Sequence, residues 1–195
     1  MKFDLHVHTS ISPCSQLPLH DIIAQARQRD LSGVCITDHD TMEVRHYLQE
    51  GMQENGLCVI FGMEYTTNDG DFLLLGPYEQ LQPGLAAADL LRHVENTGGV
   101  AVAAHPYRFN RPTREYLVDH GLCRIVEGIN GRNHQYENDS VGTWRERYGV
   151  KQVGGSDAHS LEELGLVTTI FHLPIRNRAD LIYALKNSSY TPERN

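Results

Sequence analysis

The chain has no apolar run fit for a bilayer: its longest, 57–63, has seven residues with a glycine among them, against the ~20 of a spanning helix. No membrane contact is expected. Positive charge is also short, with Lys+Arg at 17 against Asp+Glu at 25 and a net charge of −8. That balance opposes non-specific attraction to a phosphate backbone, so long nucleic acid is not expected as a partner. Cysteine is too sparse for a disulfide framework: Cys35, Cys58 and Cys123 sit in or beside strand-like runs and read as buried reduced thiols, while Cys14 lies in a polar loop. Asp4 and His6 interrupt the N-terminus where a signal peptide needs unbroken apolar sequence, which makes a cytoplasmic location the expectation. Long linkers and low-complexity segments are absent too, so residues 1–195 are expected to form one domain.

Short β-type runs alternate with helical patterns, the signature of a βα repeat with a parallel sheet. Strands are predicted at 3–7, 33–37, 57–62, 72–76, 100–104, 125–128, 151–155 and 167–171. Helices are predicted at 17–29, 43–54, 85–96, 114–119, 138–148 and 178–186. The turn Asn68-Asp69-Gly70 suggests that 57–62 and 72–76 pair locally. Seven or eight strands in this length are tight for a full eight-fold barrel of ~250 residues, so a compact or incomplete barrel is the expectation.

His6, His8, His39, Glu64, His105, Asp157 and His159 all fall at or just past the C-terminal ends of separate apolar runs. Strand C-terminal ends are where such a protein gathers its active-site groups, so ligands far apart in sequence can meet in one cleft. In His6-Val7-His8 the period-two geometry of a strand puts both imidazoles on one side, where one metal can take both. Thr37-Asp38-His39-Asp40 offers two carboxylates and an imidazole at a strand-to-helix turn; helix capping by Asp40 or Thr41 explains the acids but not His39. Glu64 has two oxygens with which to bridge two cations. His105 ends a run that should be fully buried, where an unpaired ring is costly. Gly154-Gly155-Ser156-Asp157-Ala158-His159 repeats the alternation, and its glycines allow close backbone approach.

Six segments, Asp4-Leu5-His6-Val7-His8-Thr9, Ile36-Thr37-Asp38-His39-Asp40-Thr41, Gly62-Met63-Glu64, Ala104-His105-Pro106, Asn130-Gly131-Arg132 and Gly155-Ser156-Asp157-Ala158-His159, resemble in order the motifs of the PHP (polymerase and histidinol phosphatase) family. The resemblance implies an α/β fold, a distorted seven-stranded (β/α)7 barrel like a TIM barrel, with two or three divalent metals at the strand C-termini. It implies that His6, His8, Glu64 and Asp157 hold the first metal and that Glu64 bridges to a second held by His105. His39 and His159 would take a third metal or the substrate phosphate. Cys14 stands where some members carry a histidine, and its thiolate suits zinc or iron better than magnesium. His134 is the nearest candidate for the last ligand of the second metal. Nitrogen and carboxylate ligands leave zinc, manganese and iron open.

Metal-dependent hydrolysis of a phosphate ester is the leading expectation, on a small phosphorylated substrate such as a phosphomonoester or nucleotide. Asp38, His39 and His159 are candidate catalytic residues, imidazole being suited to phosphate contact or leaving-group protonation. Arg132 is a candidate for gripping phosphate oxygens in two parallel hydrogen bonds. Arg108 and Arg111, with Arg114, form a basic cluster after His105-Pro106 that can recognise a second phosphate or a nucleotide. The alternatives are an exonuclease-like phosphodiesterase on short oligonucleotides and a non-catalytic metal-stabilised interaction module. Metal-dependent amide or deamination chemistry fits poorly, because it generally bridges its metals with a modified lysine and none lies between Lys2 and Lys151.

Overall fold

Parallel pairing of short apolar strands decides where the polar residues at their ends meet. The computed structural model describes residues 1–195. Its first sheet is built from β1 (Lys2–Val7), β2 (Gly33–Ile36), β3 (Gly51–Met52) and β4 (Cys58–Phe61), with α1 (Leu19–Gln25) between the first two strands. A hairpin of β5 (Met63–Thr67) and β6 (Gly70–Leu75) follows, then α2 (Ala87–Asn96), β7 (Val100–Ala103), α3 (Tyr116–Asp119), β8 (Ile125–Asn130), α4 (Gln135–Tyr148) and β9 (Lys151–Gly155). The chain ends with β10 (Val167–Phe171), α5 (Arg178–Asn187) and β11 (Tyr190–Arg194).

The strands form a six-stranded sheet in the order β11-β10-β1-β2-β4-β3 and a five-stranded sheet in the order β5-β6-β7-β8-β9. The architecture is mixed α/β, but the strand ladder does not close into a ring of seven. The two sheets meet at Gly62, which separates β4 from β5, and at β9, where Thr169 Oγ1 of β10 exchanges hydrogen bonds with the Gly154 backbone at 2.8 and 2.9 Å. A cluster of buried side chains joins both sheets with Leu181, Ala184 and Leu185 of α5, and a larger one packs the other helices onto the strands. No helix is long and apolar enough to cross a membrane.

Three expected elements differ. Segment 57–67 is one extended run broken at Gly62, so β4 pairs with β2 and only its continuation β5 pairs with β6. A Cβ at position 62 would lie 2.6 Å from the Leu74 carbonyl oxygen, so glycine permits the crossing between sheets. The expected helix 43–54 is a 3-10 turn, Glu43–His46, followed by β3. Gly51 has φ +112°, which no helix accommodates, and the Glu50 carboxylate is engaged by the Phe61 N–H at 2.8 Å. Expected helix 17–29 is α1 plus a 3-10 turn, Arg27–Arg29.

β1, β2 and β4 are parallel, as are β7, β8 and β9. Their C-terminal edges therefore coincide within each sheet. Parallel bridges Val7 to Ala158 and His39 to Glu64 continue this alignment past the strand ends. Residues 6–8, 37–39, 64, 105 and 157–159 consequently converge.

Candidate metal centre

Backbone placement here depends on close approach and on strain. A Cβ on Gly155 would stand 2.6 Å from His6 Cβ and 2.7 Å from Glu127 Oε1, so glycine lets β9 pass directly against β1. His105 and Asp157 adopt φ +32° and +57°, the left-handed region that L-residues occupy at a cost and mostly at functional positions. His105 is held there by its N–H donating to Glu127 Oε2 at 2.8 Å.

At the centre, His6 Nε2 and His8 Nε2 face each other at 2.9 Å. Glu64 Oε2 lies 3.3 and 3.2 Å from these two nitrogens, and Asp157 Oδ1 lies 3.5 and 3.4 Å from them. The opposite ring nitrogens face other partners: His6 Nδ1–H donates to Glu127 Oε1 at 2.9 Å, and His8 Nδ1–H to Ser12 Oγ at 3.3 Å. Ser12 in turn donates to Asp38 Oδ1 at 2.6 Å, so it is an acceptor toward His8. That tautomer assignment leaves both Nε2 lone pairs and two carboxylate oxygens aimed at one fully buried point. Such a set is stable only around positive charge. Tetrahedral ligands at ~2.0–2.1 Å from zinc are separated by ~3.3 Å, and the observed separations bracket that edge. The residues present fit a divalent cation.

The electrostatics agree. Burial works against the charged form of His6, yet Glu127, Asp157 and Glu64 outweigh it and hold its pKa well above the ordinary value. Burial likewise works against the Glu64 and Asp157 carboxylates, but His6 and the neighbouring imidazoles hold both well below the usual range.

A second group shares Glu64. Its Oε1 lies 2.8 Å from His105 Nε2, and Asp71 supplies a further donor within 4.8 Å of both. Asp71 Oδ2 and His105 Nδ1 are buried without a hydrogen-bond partner. A third group, His8, His39 and His159, lies toward solvent. His39 Nδ1 is 3.1 Å from Glu64 Oε2. His159 Nδ1–H donates to the Asp157 carbonyl at 2.8 Å, which turns Nε2 toward Cys14 Sγ at 3.2 Å. Burial, with the surrounding positive charge, lowers the His39 pKa and takes that of His159 to about 4, so both rings are neutral near pH 7.

The structure thus brings together His6, His8, His39, Glu64, His105, Asp157 and His159, with Cys14 at the rim. His134 is elsewhere: it is exposed at the start of α4, its ring stacked on Tyr136. Asp38 lies behind the cluster, where its carboxylate accepts from Thr9 N–H, Thr9 Oγ1 and Ser12 Oγ at 2.8, 2.8 and 2.6 Å. Arg108 reaches inward, with Nη2 2.7 Å from Asp157 Oδ2, and Arg111 Nη2 lies 2.6 Å from Asp71 Oδ1. Each arginine therefore pins a carboxylate of one donor group. Arg132 pairs loosely with Glu163 at 3.6 Å and is 43% exposed.

Sequence reasoning missed Asp71 and Glu127. Each is an acid at or inside a run that is otherwise apolar, Gly70-Asp71-Phe72-Leu73-Leu74-Leu75 and Ile125-Val126-Glu127-Gly128-Ile129. A charge that must be buried with its strand was the available signal.

A model of the PHP domain matches residues 4–153, and a PHP-associated model matches residues 135–190. The uncharacterized protein MJ1587 of Methanocaldococcus jannaschii is 31% identical over 151 residues, 72% of this chain and 86% of that protein. A two-domain protein from Bacteroides vulgatus, described as containing a predicted PHP-like metal-dependent phosphoesterase, superposes with a TM-score of 0.75 at 18% identity, over 100% of this chain and 65% of that one. Endonuclease Q, solved with a 27-mer duplex substrate carrying an abasic lesion at the active site, superposes with a TM-score of 0.72 at 13% identity, over 97% of this chain and 57% of that one. This likeness corrects the expectation that long nucleic acid is excluded. A net charge of −8 is a whole-chain sum, whereas the charge near a bound phosphate is set locally, by arginines and by any bound cation.

Proposed function

The chain belongs to the PHP family, hydrolases of phosphoric ester bonds, and we propose that its buried imidazole–carboxylate cluster holds two or three divalent ions and hydrolyses a small phosphorylated substrate. The observation that carries this reading is the face-to-face pair of His6 and His8 Nε2 atoms at 2.9 Å, flanked by Glu64 Oε2 and Asp157 Oδ1. In this assignment His6, His8, Asp157 and Glu64 would hold the first ion, and Glu64, His105 and Asp71 the second. His8, His39 and His159, with the Cys14 thiolate, are the outer set. Zinc, manganese and iron all suit these donors.

With divalent ions at these positions the site has a source of hydroxide near neutral pH and a counter-charge for phosphoryl oxygens. The remaining work belongs to the chain. Glu127 and Ser12 fix the His6 and His8 tautomers, so that Nε2 is the ligating atom of each. Asp38 acts at one remove by orienting Ser12. His39 and His159, neutral and 30% and 12% exposed, stand between the buried donors and solvent, placed to hydrogen-bond a phosphate as it enters. Arg132, partly exposed, supplies a guanidinium for non-bridging oxygens.

We take residues 1–195 as one catalytic unit in the cytoplasm, its two sheets forming an open version of the family's barrel. The four unpaired cysteines, three of them buried, support a reducing setting. Elemental analysis of the purified protein, with a panel of aliphatic phosphomonoesters, nucleotides and duplex DNA, tests the proposal. The expected result is at least two ions per chain and hydrolysis that Asp157→Asn and His8→Ala both abolish. A metal-loaded protein inert across the panel overturns it.

A further inference from the structure

We infer that the loop after β7 and the first turn of α4 form an aromatic platform for a nucleobase beside the metal cluster. This deepens the hydrolase reading, and rests on it, by making the substrate a nucleobase-bearing phosphoester.

Phe109 is the most exposed large apolar side chain of the molecule, at 86%, and Tyr136 is 60% exposed. An isolated exposed ring is unremarkable in a folded protein. The backbone segments that carry them are held side by side. Buried Glu137 accepts the Phe109 N–H on one carboxylate oxygen at 2.7 Å and the His134 N–H on the other at 2.9 Å. The His134 ring stacks on Tyr136 with centroids 5.6 Å apart and planes 10° from parallel. A second tie joins the same segments, Arg108 Nε donating to Asn133 Oδ1 at 3.0 Å.

The platform is also tied to the cluster. Arg108, the residue before Phe109, places Nη2 2.7 Å from Asp157 Oδ2, while Asp157 Oδ1 faces the His6 and His8 nitrogens. Guanidiniums flank the rings in sequence: Arg108 and Arg111 around Phe109, Arg132 before His134. Arg111 and Arg132 are each 43% exposed. A phenylalanine ring left 86% exposed forgoes most of what its burial would contribute to folding, so stability does not account for its placement. Flat apolar faces interleaved with cations are what a base and its phosphate require together. His134, exposed and stacked on Tyr136, has its place here.

The test compares kcat/KM for a nucleoside monophosphate, for a single-stranded oligonucleotide and for glycerol phosphate in the metal-loaded wild type, Phe109→Ala and Tyr136→Ala. Tyr183→Ala serves as control, because Tyr183 is 61% exposed on α5, outside the platform. In the platform variants the preference for nucleobase-bearing over aliphatic substrate falls about 5- to 150-fold, chiefly through KM. The control keeps the wild-type ratio. A fall confined to the oligonucleotide identifies the end of a strand as the ligand, and a fall with both identifies the nucleotide unit. Equal ratios in all four proteins overturn the platform.

Binding of a fluorescent phosphorothioate oligonucleotide, followed by anisotropy, separates the two readings. Binding that weakens in Phe109→Ala without any turnover sustains the platform and removes the hydrolase. Turnover with no Phe109 dependence does the reverse. Capture of a protein in place of either nucleobase ligand also counts against the platform.

Discussion

Among single residues, Glu127 controls more of the centre than its absence from the ligand set suggests. One of its oxygens accepts from His6 Nδ1–H and the other from the His105 backbone N–H, so it orients one ligand of each proposed ion. Glu127→Gln preserves shape but leaves one acceptor oxygen where two are needed. Either His105 N–H goes unpaired or His6 moves its proton to Nε2, the atom that must ligate. The expected effect is a loss of metal affinity of about 10- to 100-fold, measured by competition with a chromophoric chelator. Unchanged affinity would show that His6 is oriented by its strand alone. The residues that converge were legible in sequence because each follows an apolar run, and His6 and His8 share a strand face at period two. Asp71 and Glu127 offered only the signal of a charge buried with its strand, because their partners lie far away in sequence. His134 is exposed and stacked on Tyr136, a placement set by the turn that starts α4, which no local pattern encodes.

At the scale of elements, strands were read more faithfully than helices. β2 and β7 are short apolar stretches with a strand on each side, and that pattern survives any tertiary arrangement. Segment 43–54 carries helix-compatible residues, but Gly51 at positive φ and the ion pairs of Glu50 override that propensity. β11 was unread: it is a short edge strand, whose Pro192 argues against a strand interior. The segment before β3 is instead fixed by Arg178 at the start of α5. Its Nε and Nη2 donate to Glu50 at 2.9 and 2.9 Å, and its Nη1 to Glu79 at 2.9 Å and to the Gly76 carbonyl. Glu50 precedes β3 of the first sheet and Gly76 follows β6 of the second, so one guanidinium clips the sheets near the edge where β4 turns into β5. Arg178→Ala leaves two half-buried carboxylates without their cation. The expected destabilisation is about 1–3 kcal/mol, with an unchanged urea m-value. A loss below ~0.5 kcal/mol would place the joint in the apolar packing of α5 instead.

For the whole molecule, the fold concentrates negative charge where a protein core ordinarily excludes it. Glu64, Asp71, Glu127 and Asp157 are all buried, together with His6, His8 and His105. Burying unpaired carboxylates is costly, and in the cation-free chain Arg108, Arg111 and the proton on His6 offset only part of that cost. Divalent ions that bind the folded chain and not the unfolded one must therefore stabilise it. At a hundred times the dissociation constant each site contributes ~2.7 kcal/mol. For a chain of this size that corresponds to a rise in Tm of about 5–11 °C per site. Thermal unfolding of chelator-stripped protein, titrated with zinc or manganese, should show this rise, and EDTA should reverse it. The gain should shrink as pH falls, because protons compete for the same imidazole lone pairs. Asp157→Asn should lose the first increment while keeping a folded, cooperative transition, since Arg108 retains Asn130 and Asn133 as partners. If saturating ions leave Tm unmoved at neutral pH, the four facing donors are not a cation site, and their spacing must be explained by protonation of His6 alone.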